Sequence, residues 1–187
     1  MMNLLLEIGT EEIPAKFMPA ALLQLAEVAQ TKFTELGIPF KNIKTAGTPR
    51  RLTLFITGLA AKQNDKNTAT KGPAVKIAFD AQGEPTKVAL GFAKKHGLAA
   101  EDLTQQDGYV YAVVKEAGQA VEKLLPAILP DLINSLTFPK TMRWGGLDWR
   151  FVRPVRSLVA LLGKKVIPFT LAGVMSGKVT SGHRFLG

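Results

Sequence analysis

The chain has 187 residues, 47% of them hydrophobic, enough to bury a substantial core. It contains no cysteine, which removes disulfide frameworks and thiolate metal sites, and its formal net charge of +9 favours a polyanionic partner such as nucleic acid. The opening Met-Met-Asn-Leu-Leu-Leu-Glu has no basic region before its short apolar run, and no stretch approaches the roughly 18 apolar residues of a membrane helix, so a cytoplasmic protein without membrane contact is expected.

Residues 3–8 form a short apolar run ahead of Gly9, the pattern of a strand, and Thr10-Glu11-Glu12-Ile13-Pro14 follows as a polar turn. From Met18 the apolar residues Leu22, Leu25, Ala29, Phe33 and Leu36 recur at three- and four-residue steps, which predicts an amphipathic helix with Pro19 in its first turn and Gly37 as a left-handed cap. Residues 43–45 and 52–57 read as strands around the Gly47-Thr48-Pro49-Arg50-Arg51 turn. The first 60 residues are therefore a β-α-β-β unit, and the fold class is α+β.

Residues 62–73 are polar and read as a surface excursion or a boundary. Beyond them, 75–79 is a candidate strand, 86–96 a short helix ended by Gly97, and 108–116 a strand with Tyr109, Tyr111 and Val113 on one face. Val121, Leu125, Ile128, Leu132 and Leu136 keep helical spacing, but Pro126 and Pro130 each remove a hydrogen bond, so a kinked helix or two short ones is predicted. Residues 157–162 and 166–171 read as strands joined by a Gly163-Lys164-Lys165 hairpin turn. Three regions result: a lobe at 1–61, an α+β excursion at 62–139 and a basic strand-rich segment at 140–187 packing back on the first lobe in a largely antiparallel sheet. The chain ends without a polar tail and is expected to be part of a longer one.

Charge is concentrated in the last region. From Lys140 onward nine Lys and Arg face the single Asp148, and five of the seven arginines, Arg143, Arg150, Arg153, Arg156 and Arg184, lie there among Trp144, Trp149 and Phe151. Guanidinium groups suit phosphate oxygens and tryptophan rings stack on unpaired bases, which makes this a candidate nucleic-acid surface. Arg150, Arg153 and Arg156 fall three apart around Pro154; polyproline geometry puts them on one edge, whereas a regular strand turns Arg153 away. The opposing reading keeps Trp144 and Phe151 in the core and pairs the arginines with carboxylates such as Glu7, Glu11 and Glu12. Arg50 and Arg51 admit the same two readings.

Catalytic chemistry finds little support. The segment from Gly173 to Thr180 resembles a phosphate-binding loop but has Ala172 where the first glycine belongs and Val179 where Ser or Thr must follow Lys178, so it reads as a β-turn. His96 and His183 are the only histidines, neither with a carboxylate at helical spacing, and no serine has a nucleophile context; no metal site and no catalytic residue are expected. Glu7, Glu11 and Glu12 form a carboxylate site for a cation or a solvated turn.

Several segments occur in a telling order: Glu7-Ile8-Gly9-Thr10-Glu11-Glu12-Ile13-Pro14, Thr48-Pro49-Arg50-Arg51-Leu52, Lys71-Gly72-Pro73, Phe79-Asp80 with Gly83 and Pro85, Met142-Arg143-Trp144, Phe151-Val152-Arg153-Pro154-Val155, and Gly182-His183-Arg184-Phe185. Together they resemble the N-terminal part of the beta subunit of bacterial heterotetrameric glycyl-tRNA synthetase. The resemblance implies a subunit of an aminoacyl-tRNA synthetase that binds glycine tRNA and assembles with an alpha subunit. The alpha subunit would hold the ATP and magnesium site, leaving no cofactor here. It nominates Arg50, Arg51, Arg143, Arg153, His183 and Arg184 for RNA contact or its support, while Trp144, Arg150 and Arg156 join them on charge and stacking grounds.

Overall fold

The computed structural model describes residues 1–80 and 82–182. Its elements begin with β1 (Met2–Thr10), α1 (Met18–Glu35), β2 (Asn42–Thr48), β3 (Arg51–Leu59) and β4 (Lys66–Ala74). They continue with α2 (Val75–Ala78), α3 (Lys87–Lys95), β5 (Thr104–Gln106), β6 (Tyr109–Glu116) and α4 (Val121–Asn134). Four strands close the described chain: β7 (Val155–Leu162), β8 (Lys165–Val166), β9 (Thr170–Leu171) and β10 (Val174–Gly177). The fold is α+β, as the alternation of patterns predicts. Two compact units result, one of residues 1–63 and 119–187 and one of residues 64–118.

The first unit is organised around β1, whose alternate residues Leu4, Leu6 and Ile8 are fully buried on one face. β3 pairs antiparallel on one side of it and β7 on the other, which sets Leu52, Leu54 and Ile56 and then Leu158, Ala160 and Leu162 beside them. The sheet order is β2-β3-β1-β7-β10-β9, with β8 also on β7 and with the β7–β10 pair alone parallel among the described strands. Helix α1 joins the same core through Leu25, Ala29 and Phe33. Gly37, at φ 61°, ends it in a Schellman arrangement, its N–H reaching Thr34 and that of Ile38 reaching Phe33.

Two sequence readings are resolved here. Of the kinked helix and the two short ones, a single helix is found: α4 spans Pro126 and Pro130. Each proline costs about 3 kcal/mol in a helix interior, but Val121, Leu125, Ile128, Leu129, Leu132 and Ile133 are all buried, at about 1.5–3 kcal/mol for each large side chain, and packing prevails. α4 thereby folds with the first unit. The predicted strand at 166–171 is in fact β8 and β9 separated by Ile167, Pro168 and Phe169, where Ser176 fastens the bend: its hydroxyl donates to the Ile167 carbonyl and accepts from the Phe169 N–H. The loop-like stretch after Leu171 is a two-residue hairpin turn, with Ala172 and Gly173 both at positive φ.

The second unit is a three-stranded antiparallel sheet, β4-β6-β5, with its own small core of Ala78, Ala89, Ala93, Leu103, Val110 and Ala112. The polar stretch expected to be a surface excursion supplies strand β4, held by its ladder to β6. Residues 75–79, expected as a strand, instead wind into α2 where that ladder ends at Ala74 and Tyr109. Gly72 belongs to the covered face: a Cβ there would meet Phe92 at 2.5 Å.

Candidate nucleic-acid interface

At the end of β1, three of the segments singled out in the sequence become neighbours. Gly9 pairs with Arg51 on one side and Ser157 on the other, and a bulge shifts Thr10 to Val155. Backbone bonds then tie the following turn to both neighbours: Thr10 N–H to the Arg50 carbonyl at 2.9 Å, Glu11 N–H to that of Pro154 at 3.0 Å, and Ile13 N–H to that of Pro49 at 2.6 Å.

Two carboxylates organise the cations there. Glu11 accepts from Arg50 at 3.0 Å on one oxygen and from Arg156 Nε at 2.8 Å on the other, so a half-buried carboxylate holds two guanidinium groups. Glu7, only 8% exposed, lies 3.3 Å from Arg51 Nε and accepts from the Thr180 hydroxyl at 2.6 Å. Arg51 also donates to the Ser181 carbonyl. Arg50, Arg51 and Arg156 are therefore partners of Glu7 and Glu11, as the opposing sequence reading held, while Glu12 is exposed. Such pairs are part-screened by solvent, and their geometric role outweighs their net energy.

The other arginines stand differently. Arg150, Arg153 and Arg156 do not act as one polyproline edge: Arg150 Nε donates to Thr141 Oγ1 at 3.2 Å, Arg153 folds onto the Val152 carbonyl at 2.8 Å, and Arg156 turns to Glu11. A bridge between Met142 and Phe151, bonded in both directions at 2.8 and 3.2 Å, joins the two backbone segments that carry Arg143 and Arg150. Arg143 has Asp148 at 3.5 Å, but both side chains are well exposed.

An aromatic ladder supports this pair. Phe138 meets Phe151 edge-on at 5.1 Å, Trp149 stacks on Phe151 at 5.2 Å, and Trp144 meets Trp149 edge-on at 5.4 Å. Trp149 Nε1 also donates to Asn134 Oδ1 at 2.7 Å. Phe151 is core, and Trp144, half-buried, is the outermost ring of the ladder, so the tryptophans act first as anchors. His183 and Arg184 lie outside the described residues. Thr141 and Thr180 had no signal in the sequence, since only the pairing of distant strands shows what they touch.

Among the described residues no group of three or more His, Asp and Glu is placed to hold a metal, and no helix is long and apolar enough to cross a membrane.

The profile of a family described as glycyl-tRNA synthetase beta subunit matches residues 4–187. The chain is 52% identical over 189 residues to the glycine–tRNA ligase beta subunit of Desulfitobacterium hafniense, covering 99% of this chain and 27% of that one. It is 49% identical to the beta subunit of Moorella thermoacetica and 47% identical to that of Clostridioides difficile, each over 98% of this chain and 27% of the relative. The chain thus spans about a quarter of the length of these relatives.

Proposed function

Since this chain belongs to the glycyl-tRNA synthetase beta-subunit family, we propose that it is the N-terminal part of such a subunit and contributes tRNA binding to ATP-dependent charging with glycine. The carrying observation is that Arg143 and Arg150 are both exposed and each adjoins a residue of the Met142–Phe151 bridge, in a segment where nine basic side chains meet one acidic one. Two planar guanidinium groups so placed grip adjacent phosphate oxygens and fix the RNA's position without reading its sequence. Trp144 and Arg153 belong to the same basic segment, and His183 and Arg184 stay candidates on their sequence motif alone.

The reaction itself falls to the alpha subunit, which holds glycine, ATP and magnesium, and this part of the beta subunit serves by orienting the tRNA against that site and by assembly with it. Arg50, Arg51 and Arg156 favour a second role, as internal ties, each with one guanidinium nitrogen held by a carboxylate.

Fluorescence anisotropy with labelled glycine tRNA tests the proposal. Log affinity should fall linearly with log salt, by about 0.7–0.9 per phosphate neutralised. Absence of binding at low salt would end the RNA-contact reading for this part of the chain. A second tRNA measured alongside separates general phosphate binding from preference for the glycine acceptor.

A further inference from the structure

Strand β6 alternates so that Val110 and Ala112 enter the core of the second unit while Tyr109, Tyr111 and Val113 stand on the opposite face. The register places Lys71 beside Tyr111 and Asn67 beside Lys115, on that same face. Thr104 and Gln106 of β5 complete it, so the strand positions there carry two lysines and no carboxylate. Tyr109 is 39% exposed, and the Lys71 ammonium sits 3.5 Å from the centre of its ring. Neither tyrosine hydroxyl has a hydrogen-bond partner among the described residues. The helices α2 and α3 belong to the other face, where Ala78, Ala89 and Ala93 are buried.

The geometry points to this face as a stacking platform for single-stranded RNA, a site separate in chemistry from the arginine pair. Tyrosines at i and i+2 on one strand stand roughly 6.8 Å apart, on the order of one extended nucleotide step, so successive unpaired bases can each meet a ring. The ammonium on Tyr109 marks the ring as open to a π-face ligand: an incoming base takes its place and Lys71 moves to the phosphate that arrives with that base. Lys115 offers a second phosphate contact further along the strand. A protein strand or an apolar partner is the poorer occupant, because β6 has both edges paired and the face carries lysines at two positions. The choice of RNA over DNA rests on the function proposed above; the platform itself does not.

The test is anisotropy of a labelled penta-adenosine RNA strand on the 187-residue chain. Exchanging both tyrosines for alanine should weaken binding about tenfold per ring, equally at low and high salt, because stacking releases few ions. Tyr109→Phe with Tyr111→Phe should bind within about twofold of the parent. Lys71→Ala and Lys115→Ala should each flatten the salt slope by about 0.7. Binding unchanged in the double alanine variant, with its melting temperature also unchanged, overturns the platform, as does a parent that fails to bind the strand at low salt. Equal competition by the corresponding DNA strand overturns the RNA assignment. Arg143→Ala with Arg150→Ala, run in parallel on glycine tRNA, keeps the two readings apart: loss there with intact tyrosine variants refutes the platform alone, and the converse refutes the arginine surface alone.

Discussion

Arg50, Arg51 and Arg156 at the end of β1 and Arg143 and Arg150 at the Met142–Phe151 bridge are the same residue type in one compact unit, yet their surroundings give them opposite work. The first set converges on Glu7 and Glu11, which hold one nitrogen of each guanidinium group and fasten a turn and two strands together. The second set has one fully exposed aspartate for company and an aromatic ladder beneath it. Local carboxylate supply, rather than arginine count, decides which cations remain for an external anion.

The largest expected effect removes the footing of the exposed pair. Phe151→Ala deletes a ring that is 2% exposed and lies between Trp149 and Phe138. Urea unfolding should show a loss of about 3–5 kcal/mol. A loss below about 1 kcal/mol would mean that the ladder is not what holds the bridge, and the contrast between an anchored pair and a tied set would lose its basis.

The next effect tests the tied set. Glu7→Ala leaves Arg51 and the Thr180 hydroxyl without their shared acceptor in a half-buried place, which should cost about 2 kcal/mol in the same measurement. Glu7→Gln keeps an acceptor oxygen for Thr180 and should cost less. Stability unaltered by Glu7→Ala would place Arg51 among the free cations and break the comparison.

Much of this architecture was legible because burial wrote itself into spacing. Leu4, Leu6 and Ile8 announce β1, and Leu25, Ala29 and Phe33 with Gly37 announce α1 and its end. The β4 strand was hidden: Lys-Asn-Thr-Ala-Thr-Lys-Gly-Pro-Ala has no apolar alternation and is held by ladder bonds that require β6 as template. Val75 and Ile77 misled in the other direction, since alternation without a partner strand yields a turn of helix. For the candidate site, the residue types could be listed from the chain, but not their pairing. Arg156 and Glu11 are 145 residues apart, and only the order β3-β1-β7 makes them neighbours. The helical prolines show the remaining gap, because local propensity cannot weigh six buried side chains against two missing hydrogen bonds.

The smallest change in stability should accompany the clearest change in binding. Arg143→Ala and Arg150→Ala each remove an exposed side chain, so unfolding free energy should stay within about 0.5 kcal/mol of the parent. Each should nonetheless flatten the salt dependence of tRNA binding by about 0.7–0.9, the share of one phosphate. Arg150→Lys separates charge from shape: a lysine keeps the salt slope, but its single ammonium cannot form the two parallel bonds of a guanidinium, so affinity should fall at every salt concentration with an unchanged slope. Applied to Arg156, the alanine substitution should flatten the slope less, because the Glu11 carboxylate beside it already neutralises part of its charge. Identical slopes for the Arg150→Ala and Arg156→Ala variants would show that the glutamate does not withhold its arginines from RNA.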